Sequence, residues 1–191
     1  SQKTNEIFEA NYDFAKTKSA YVWKTIVDPF LGKYSLIKVA SGVIKSDDTL
    51  LNVEKGEEER LNKLYVLEGS KPLEVPELHA GDIGAIAKLA SVQTGDSLAA
   101  KASPVLYPKA VISTPYTYKR YKAVKKGDED KIAQALAKMA SEDKTLRVVN
   151  DSANRQTLLY GMGDQHLDII VSKLKERYKV CLLYTSDAAD E

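Results

Sequence analysis

Histidine and cysteine, the usual sources of nucleophiles, general bases and soft metal ligands, are nearly missing from this chain. Its 191 residues include two histidines, His79 and His166, and one cysteine, Cys181. One cysteine excludes an internal disulfide and favours a reducing, intracellular compartment. No apolar run approaches the roughly 20 residues that span a bilayer. The polar start "SQKTNEIFEA" has no signal-peptide core. A soluble, cytoplasmic chain with no membrane partner is expected. Excess charge is also lacking: 28 Lys+Arg against 27 Asp+Glu leave a net charge of +1. Any nucleic-acid partner must therefore be argued from local clustering. The phosphate-cradling motif G-x-x-x-x-G-K-[ST] is absent: Gly32-Lys33 is followed by Tyr34 and has no glycine five residues before it. "NKLY" at 62–65 ends in Tyr65 where a guanine-reading loop needs Asp. Cys181 sits in an apolar run, where a thiol is inert, and no serine has a G-x-S-x-G context. The chain is expected to be no enzyme by itself, and to hold no cofactor or metal.

With 43% hydrophobic and 29% charged residues, the chain suits one or two globular domains with real cores. Residues 19–103 have β texture. "AYVWKTIVD" and "YSLIKVASGVIK" are rich in β-branched and aromatic residues, with "DPFLGK" as the turn between them. "EERLNKLYVLEG" and "DIGAIAKLA" are further strands. The turns "SDDTL" (46–50), "AGDIG" (80–84) and "TGDSL" (94–98) each place an Asp where its carboxylate can satisfy local backbone donors. Short strands at this spacing predict a small β-barrel. Pro104, Pro108 and Pro115 mark 104–114 as a linker.

Residues 115–185 read differently. "YTYKRYKAV" is a strand. A helix over "GDEDKIAQALAKMASED" has Asp128 at its N-cap and the apolar stripe Ile132, Ala135, Leu136 and Met139. "TLRVVN" and "QTLLYG" are strands around "DSANR". A second helix spans Asp164 to Tyr178, and "VCLLYT" is a last strand. The order βαββαβ predicts a ferredoxin-like layer of helices on an antiparallel sheet. The expected fold is mixed: an all-β barrel followed by an α+β ferredoxin-like domain.

Two constellations could carry function. Asp164, His166 and Asp168 resemble a metal or acid/base site. At about 100° per helical residue, however, His166 lies across the helix from both carboxylates. Leu167, Ile170, Val171, Leu174 and Tyr178 form a buried stripe instead. Gly161 and Gly163 are expected to make the strand-to-helix turn, with His166 a packing or hydrogen-bonding residue. The second constellation is Lys109–Lys126, which has no acidic residue and carries Lys119, Arg120, Lys122, Lys125 and Lys126 with Tyr116, Tyr118 and Tyr121 among them. Basic groups neutralise phosphates while aromatics stack on bases. The alternative is a solvated edge strand whose lysines deter sheet-to-sheet pairing.

"GMGDQHLDIIVSKLKERYKV" resembles the Gly-Met-Gly-Glu-Leu-His-Leu-Asp-Ile-Ile signature in the third domain of translation elongation factor G. Gly161, Met162, Gly163 and His166 are the matched positions. "DKIAQALAKMASEDKTLRV" resembles the preceding helix and strand, and "VDPFLGKYSLIKVASG", "AGDIGAI" and "TGDSL" resemble the family's second domain, the barrel of translational GTPases. The resemblance implies a piece of a ribosomal translocase that binds the small subunit's rRNA and protein and couples GTPase state to domain movement. GTP and Mg would belong to a GTPase domain preceding it, of which 1–18 would be a connector or remnant, and later domains of the same factor would also be partners. A tetracycline-resistance-type ribosome-protection protein shares both domains, and a free-standing RNA-binding module would also fit the basic strand. Two positions depart from the family pattern: Lys144 follows Glu142-Asp143 where a proline is usual, and Gln165 stands where Leu is usual. After Val180 the resemblance stops, and 186–191 is read as a foreign tail.

Overall fold

The computed structural model describes residues 13, 15–28, 32–69, 71–151 and 156–185. The tip of the "DPFLGK" turn, most of the "DSANR" turn, most of 1–18 and the tail 186–191 lie outside the described residues. The chain divides into two compact units, Ser1–Ala110 and Val111–Glu191.

The first unit is all β: β1 (Ser19–Asp28), β2 (Gly32–Ser41), β3 (Val43–Lys45), β4 (Thr49–Asn52), β5 (Glu57–Arg60), β6 (Leu64–Glu68), β7 (Lys71–Val75), β8 (Glu77–His79), β9 (Ile83–Ala87) and β10 (Ser97–Ala99). Eight strands run in the order β5-β4-β10-β1-β2-β9-β6-β7, and β3 pairs with β8. Val22, Ile37, Ile44, Leu50, Leu64, Leu78, Ile86 and Leu98 come from both sheets into one buried core, as a barrel requires.

Two of the long β stretches are each divided into two strands. Gly42 separates β2 from β3 at φ +71°, and a Cβ there would stand 2.5 Å from the Lys16 carbonyl oxygen, so only glycine fits. Between β5 and β6 the chain turns Leu61 into the core, and the Leu61 N–H donates to the Asp48 carbonyl at 2.8 Å. The three Asp turns share one device. The carboxylates of Asp48, Asp82 and Asp96 accept the N–H of the residue three positions earlier, Lys45, His79 and Gln93, at 2.6, 2.8 and 2.9 Å. Asp96 is buried and also accepts from the Asn52 side-chain amide at 2.9 Å.

Residues 104–116 hold no regular element. The first part is nevertheless fastened to the barrel: Val105 is buried, Tyr107 N–H donates to Ser97 Oγ at 2.9 Å, and the Tyr107 hydroxyl shares a 2.8 Å bond with Ser19 Oγ.

The second unit has the order β11 (Thr117–Ala123), α1 (Glu129–Glu142), β12 (Arg147–Asp151), β13 (Gln156–Gly161), α2 (Asp164–Tyr178) and β14 (Leu182–Thr185). Its antiparallel sheet runs β12-β13-β11-β14, placing the first and third strands at the centre. Both helices cover one face. Ile132, Ala135, Leu136 and Met139 of α1 and Leu167, Ile170 and Leu174 of α2 are buried against Leu159 and Leu182, with Tyr121, Val148, Val171 and Tyr178 packed around them. "VCLLYT" supplies the fourth strand, β14.

Asp128 occupies the N-cap of α1 but makes no side-chain cap bond. Its φ of −89° and ψ of −1° are helical rather than extended, and its carboxylate faces Lys131 at 3.4 Å.

Candidate functional site

The Asp164–His166–Asp168 constellation separates into two contacts that point away from each other. Asp164 and Asp168 share a flank of α2 and meet the Lys119 ammonium at 3.1 and 3.9 Å. His166 turns the other way, with Nε2 3.0 Å from Asp143 Oδ2, just past the end of α1. The Met162 N–H donates to His166 Nδ1 at 3.1 Å, so Nδ1 must be an acceptor and Nε2 carries the proton given to Asp143. Asp143 also accepts from the Thr145 N–H and hydroxyl at 2.9 and 2.6 Å. Burial alone would raise the Asp143 pKa. The Thr145 bonds and the bond from His166 outweigh burial and hold it below the ordinary carboxylate range. Two stretches that carry the resemblance to the third domain, one containing Asp143 and the other His166, are therefore bonded to each other.

Of the two glycines expected to make this turn, only Gly161 is required by its surroundings. A Cβ on Gly161 would lie 2.8 Å from Leu167 Cδ2 and 3.0 Å from His166 Nδ1, so its absence lets the first turn of α2 close onto β13. Gly163 is extended, at φ 160° and ψ 173°, and a Cβ there would meet only the Tyr116 hydroxyl, at 3.9 Å. Met162 contributes its backbone N–H to the junction. A second tie, Arg177 Nη1 to Glu142 Oε2 at 3.4 Å, also joins α2 to α1. The junction is a brace between two helices and one strand. Among the described residues no group of three or more His, Cys, Asp and Glu side chains is placed to hold a metal.

The pleat of β11 sorts the basic cluster. Successive side chains of a strand point to opposite faces. Tyr121 and Ala123 pack toward the helices, and Lys119 shares their side, three-quarters covered and paired to α2. Tyr118, Arg120 and Lys122 share the opposite, helix-free face. Lys125 and Lys126 are exposed in the turn that leads to α1. On the helix-free face, cross-strand register sets Tyr118 beside Tyr160, and Tyr160 beside Arg147. The two tyrosine rings are 5.1 Å apart at 34°. Tyr160 and Arg147 are not part of the basic cluster in sequence, because they lie far from it along the chain. The signal that could have found them is the βαββαβ order itself, which makes the first and third strands neighbours.

The barrel unit carries a cavity of about 460 Å³, lined by Tyr21, Ala40, Tyr107 and Pro108 with Lys38 and Lys109. Its lining is apolar and aromatic with two ammonium groups, and contains no carboxylate or imidazole.

Two family models match the chain: "Elongation factor G domain 2" over residues 17–101 and "Elongation Factor G, domain III" over residues 112–185. The second match continues through β14, beyond Val180. A curated elongation factor G from Ruegeria pomeroyi is 38% identical over 162 residues, 85% of this chain and 23% of that protein. A crystal structure of a Thermus thermophilus protein superposes with a TM-score of 0.80 at 29% identity, covering 90% of this chain and 26% of the other. The chain thus spans about a quarter of the length of these relatives. With a barrel and a ferredoxin-like layer that match successive domains of one protein in that protein's order, the chain belongs to the elongation factor G family and carries its second and third domains.

Proposed function

We propose that this chain is the ribosome-docking and coupling portion of a translocating translational GTPase, without a catalytic site of its own. The single observation that carries the reading is the pair of consecutive elongation factor G domains in a chain that has no phosphate-cradling motif. Chemistry on GTP, with its Mg, then belongs to another domain of the same factor. These two domains supply contacts to small-subunit rRNA and protein in the cytoplasm, and the bonds between α1, α2 and β13 keep the ferredoxin-like layer stiff enough to transmit movement. On the docking side, Arg120, Lys122, Lys125 and Lys126 are the phosphate contacts. Lys119 is engaged by two carboxylates and acts within the domain.

Co-sedimentation of the chain with 30S subunits across a salt series tests this. Binding should be retained at low salt and weaken as salt rises. The salt slope should be smaller after Arg120→Ala with Lys122→Ala, because fewer neutralised phosphates release fewer counterions. Lys119→Ala should leave the slope unchanged. No binding at low salt, or GTP turnover by the chain alone, would refute the reading.

A further inference from the structure

The helix-free face of the second unit's sheet has a composition that phosphate binding alone does not require. Tyr118 on β11 and Tyr160 on β13 occupy the two central strands, side by side, with Tyr118 57% exposed. Cations surround the pair: Arg147 is the cross-strand neighbour of Tyr160, and Arg120 and Lys122 follow Tyr118 along the same face of β11. Leu183 lies beside Lys122 and is also exposed. Next to the tyrosine pair, the charged positions that register brings together are Arg147 and Arg120, with Lys122 further along β11. The carboxylates of Asp164 and Asp168 lie on the helical side, against Lys119.

We propose that this sheet face is a platform for single-stranded RNA, with two successive bases stacked on Tyr118 and Tyr160 and the flanking phosphates held by Arg120, Lys122 and Arg147. A four-stranded sheet with aromatics on its central strands is a geometry that splays and stacks unpaired bases. Duplex RNA buries its base faces and would find only the cations. The charge selects an anionic polymer, and the paired rings select one with exposed π-faces. A protein partner would need acidic and apolar groups in register with both. The inference rests on the ribosome-docking reading in choosing RNA, and it adds which RNA structure this face accepts.

The test uses the full chain and a fluorescein-labelled, unstructured single-stranded RNA, followed by anisotropy, with duplex RNA of equal length and inorganic polyphosphate as competitors. Single-stranded RNA should bind more tightly than duplex, and polyphosphate should compete poorly. Tyr118→Leu and Tyr160→Leu should each weaken binding between about 5- and 150-fold, the range seen when a stacked aromatic is removed. Tyr118→Phe should retain it. Arg120→Ala with Lys122→Ala should reduce the salt slope by about 0.7 for each phosphate no longer neutralised. Unchanged circular dichroism would show that each variant is folded. Equal binding of duplex and single strand, full competition by polyphosphate, or indifference to both Leu variants would overturn the platform. Loss of 30S binding in the Leu variants without loss of RNA binding would instead assign the face to a ribosomal protein and also overturn it. The 30S arm with the unaltered chain keeps the two readings separate: 30S binding without binding to the RNA oligonucleotide rejects only the platform.

Discussion

His166 makes two bonds whose directions are set by a single proton. Because Nδ1 accepts from the Met162 N–H, Nε2 must donate, and Asp143 is the acceptor in reach. Removing the imidazole in His166→Ala should cost about 1.5–3 kcal/mol in urea unfolding, the range for hydrogen bonds with a charged partner. The Asp143 carboxylate is held below its ordinary range, so the unfolded chain takes up that proton first as pH falls. Its stabilisation is fully present at neutral pH and is lost as pH drops through the ordinary carboxylate range and below. Urea midpoints measured between pH 7 and pH 3 should therefore fall less steeply in Asp143→Asn than in the unaltered chain; an identical acid dependence would rule out this assignment. Gly161→Ala is a separate probe of the same junction. Its methyl would press on Leu167, and a destabilisation of about 1–3 kcal/mol is expected from overpacking.

At the scale of elements, the informative feature is the repeated Asp turn of the barrel. Three turns use one carboxylate-to-backbone bond; Asp48 also takes the Lys18 ammonium, and Asp96, the buried one of the three, also holds a second chain segment through Asn52. Asp96→Ala leaves two donors without their acceptor and should destabilise the barrel by about 3 kcal/mol, whereas Asp82→Ala, at an exposed position, should cost about 1 kcal/mol. Equal effects in thermal unfolding would contradict the difference in burial. Strands and helices such as α2 are legible in the sequence because period and turn chemistry are local: the stripe from Leu167 to Leu174 and the boundaries Asp164 and Tyr178 can be read residue by residue. The breaks at Gly42 and Leu61 are not, because each depends on a distant segment, the Lys16 carbonyl in one case and the Asp48 carbonyl in the other. Asp128 shows the same limit. Its residue type suits an N-cap, but its backbone dihedrals do not.

At the scale of the whole molecule, the order of elements is readable in the sequence and the assembled surface only partly so. Five basic residues look like one patch in sequence. The pleat turns Lys119 toward α2 and leaves Arg120 and Lys122 on the helix-free face, where they join Arg147, Tyr118 and Tyr160. Helix geometry alone is enough to reject the apparent acid–histidine triad. Which partners its members find instead, Lys119 and Asp143, depends on packing. Family membership accounts for the succession of a barrel and a ferredoxin-like layer in one chain. Chemical probing of 16S rRNA in 30S subunits, with and without the chain, tests the docking reading most directly. The predicted result is a set of salt-sensitive protections that overlap those of a complete elongation factor G and fade with Arg120→Ala and Lys122→Ala. Protections at unrelated positions, or none at low salt, would contradict it.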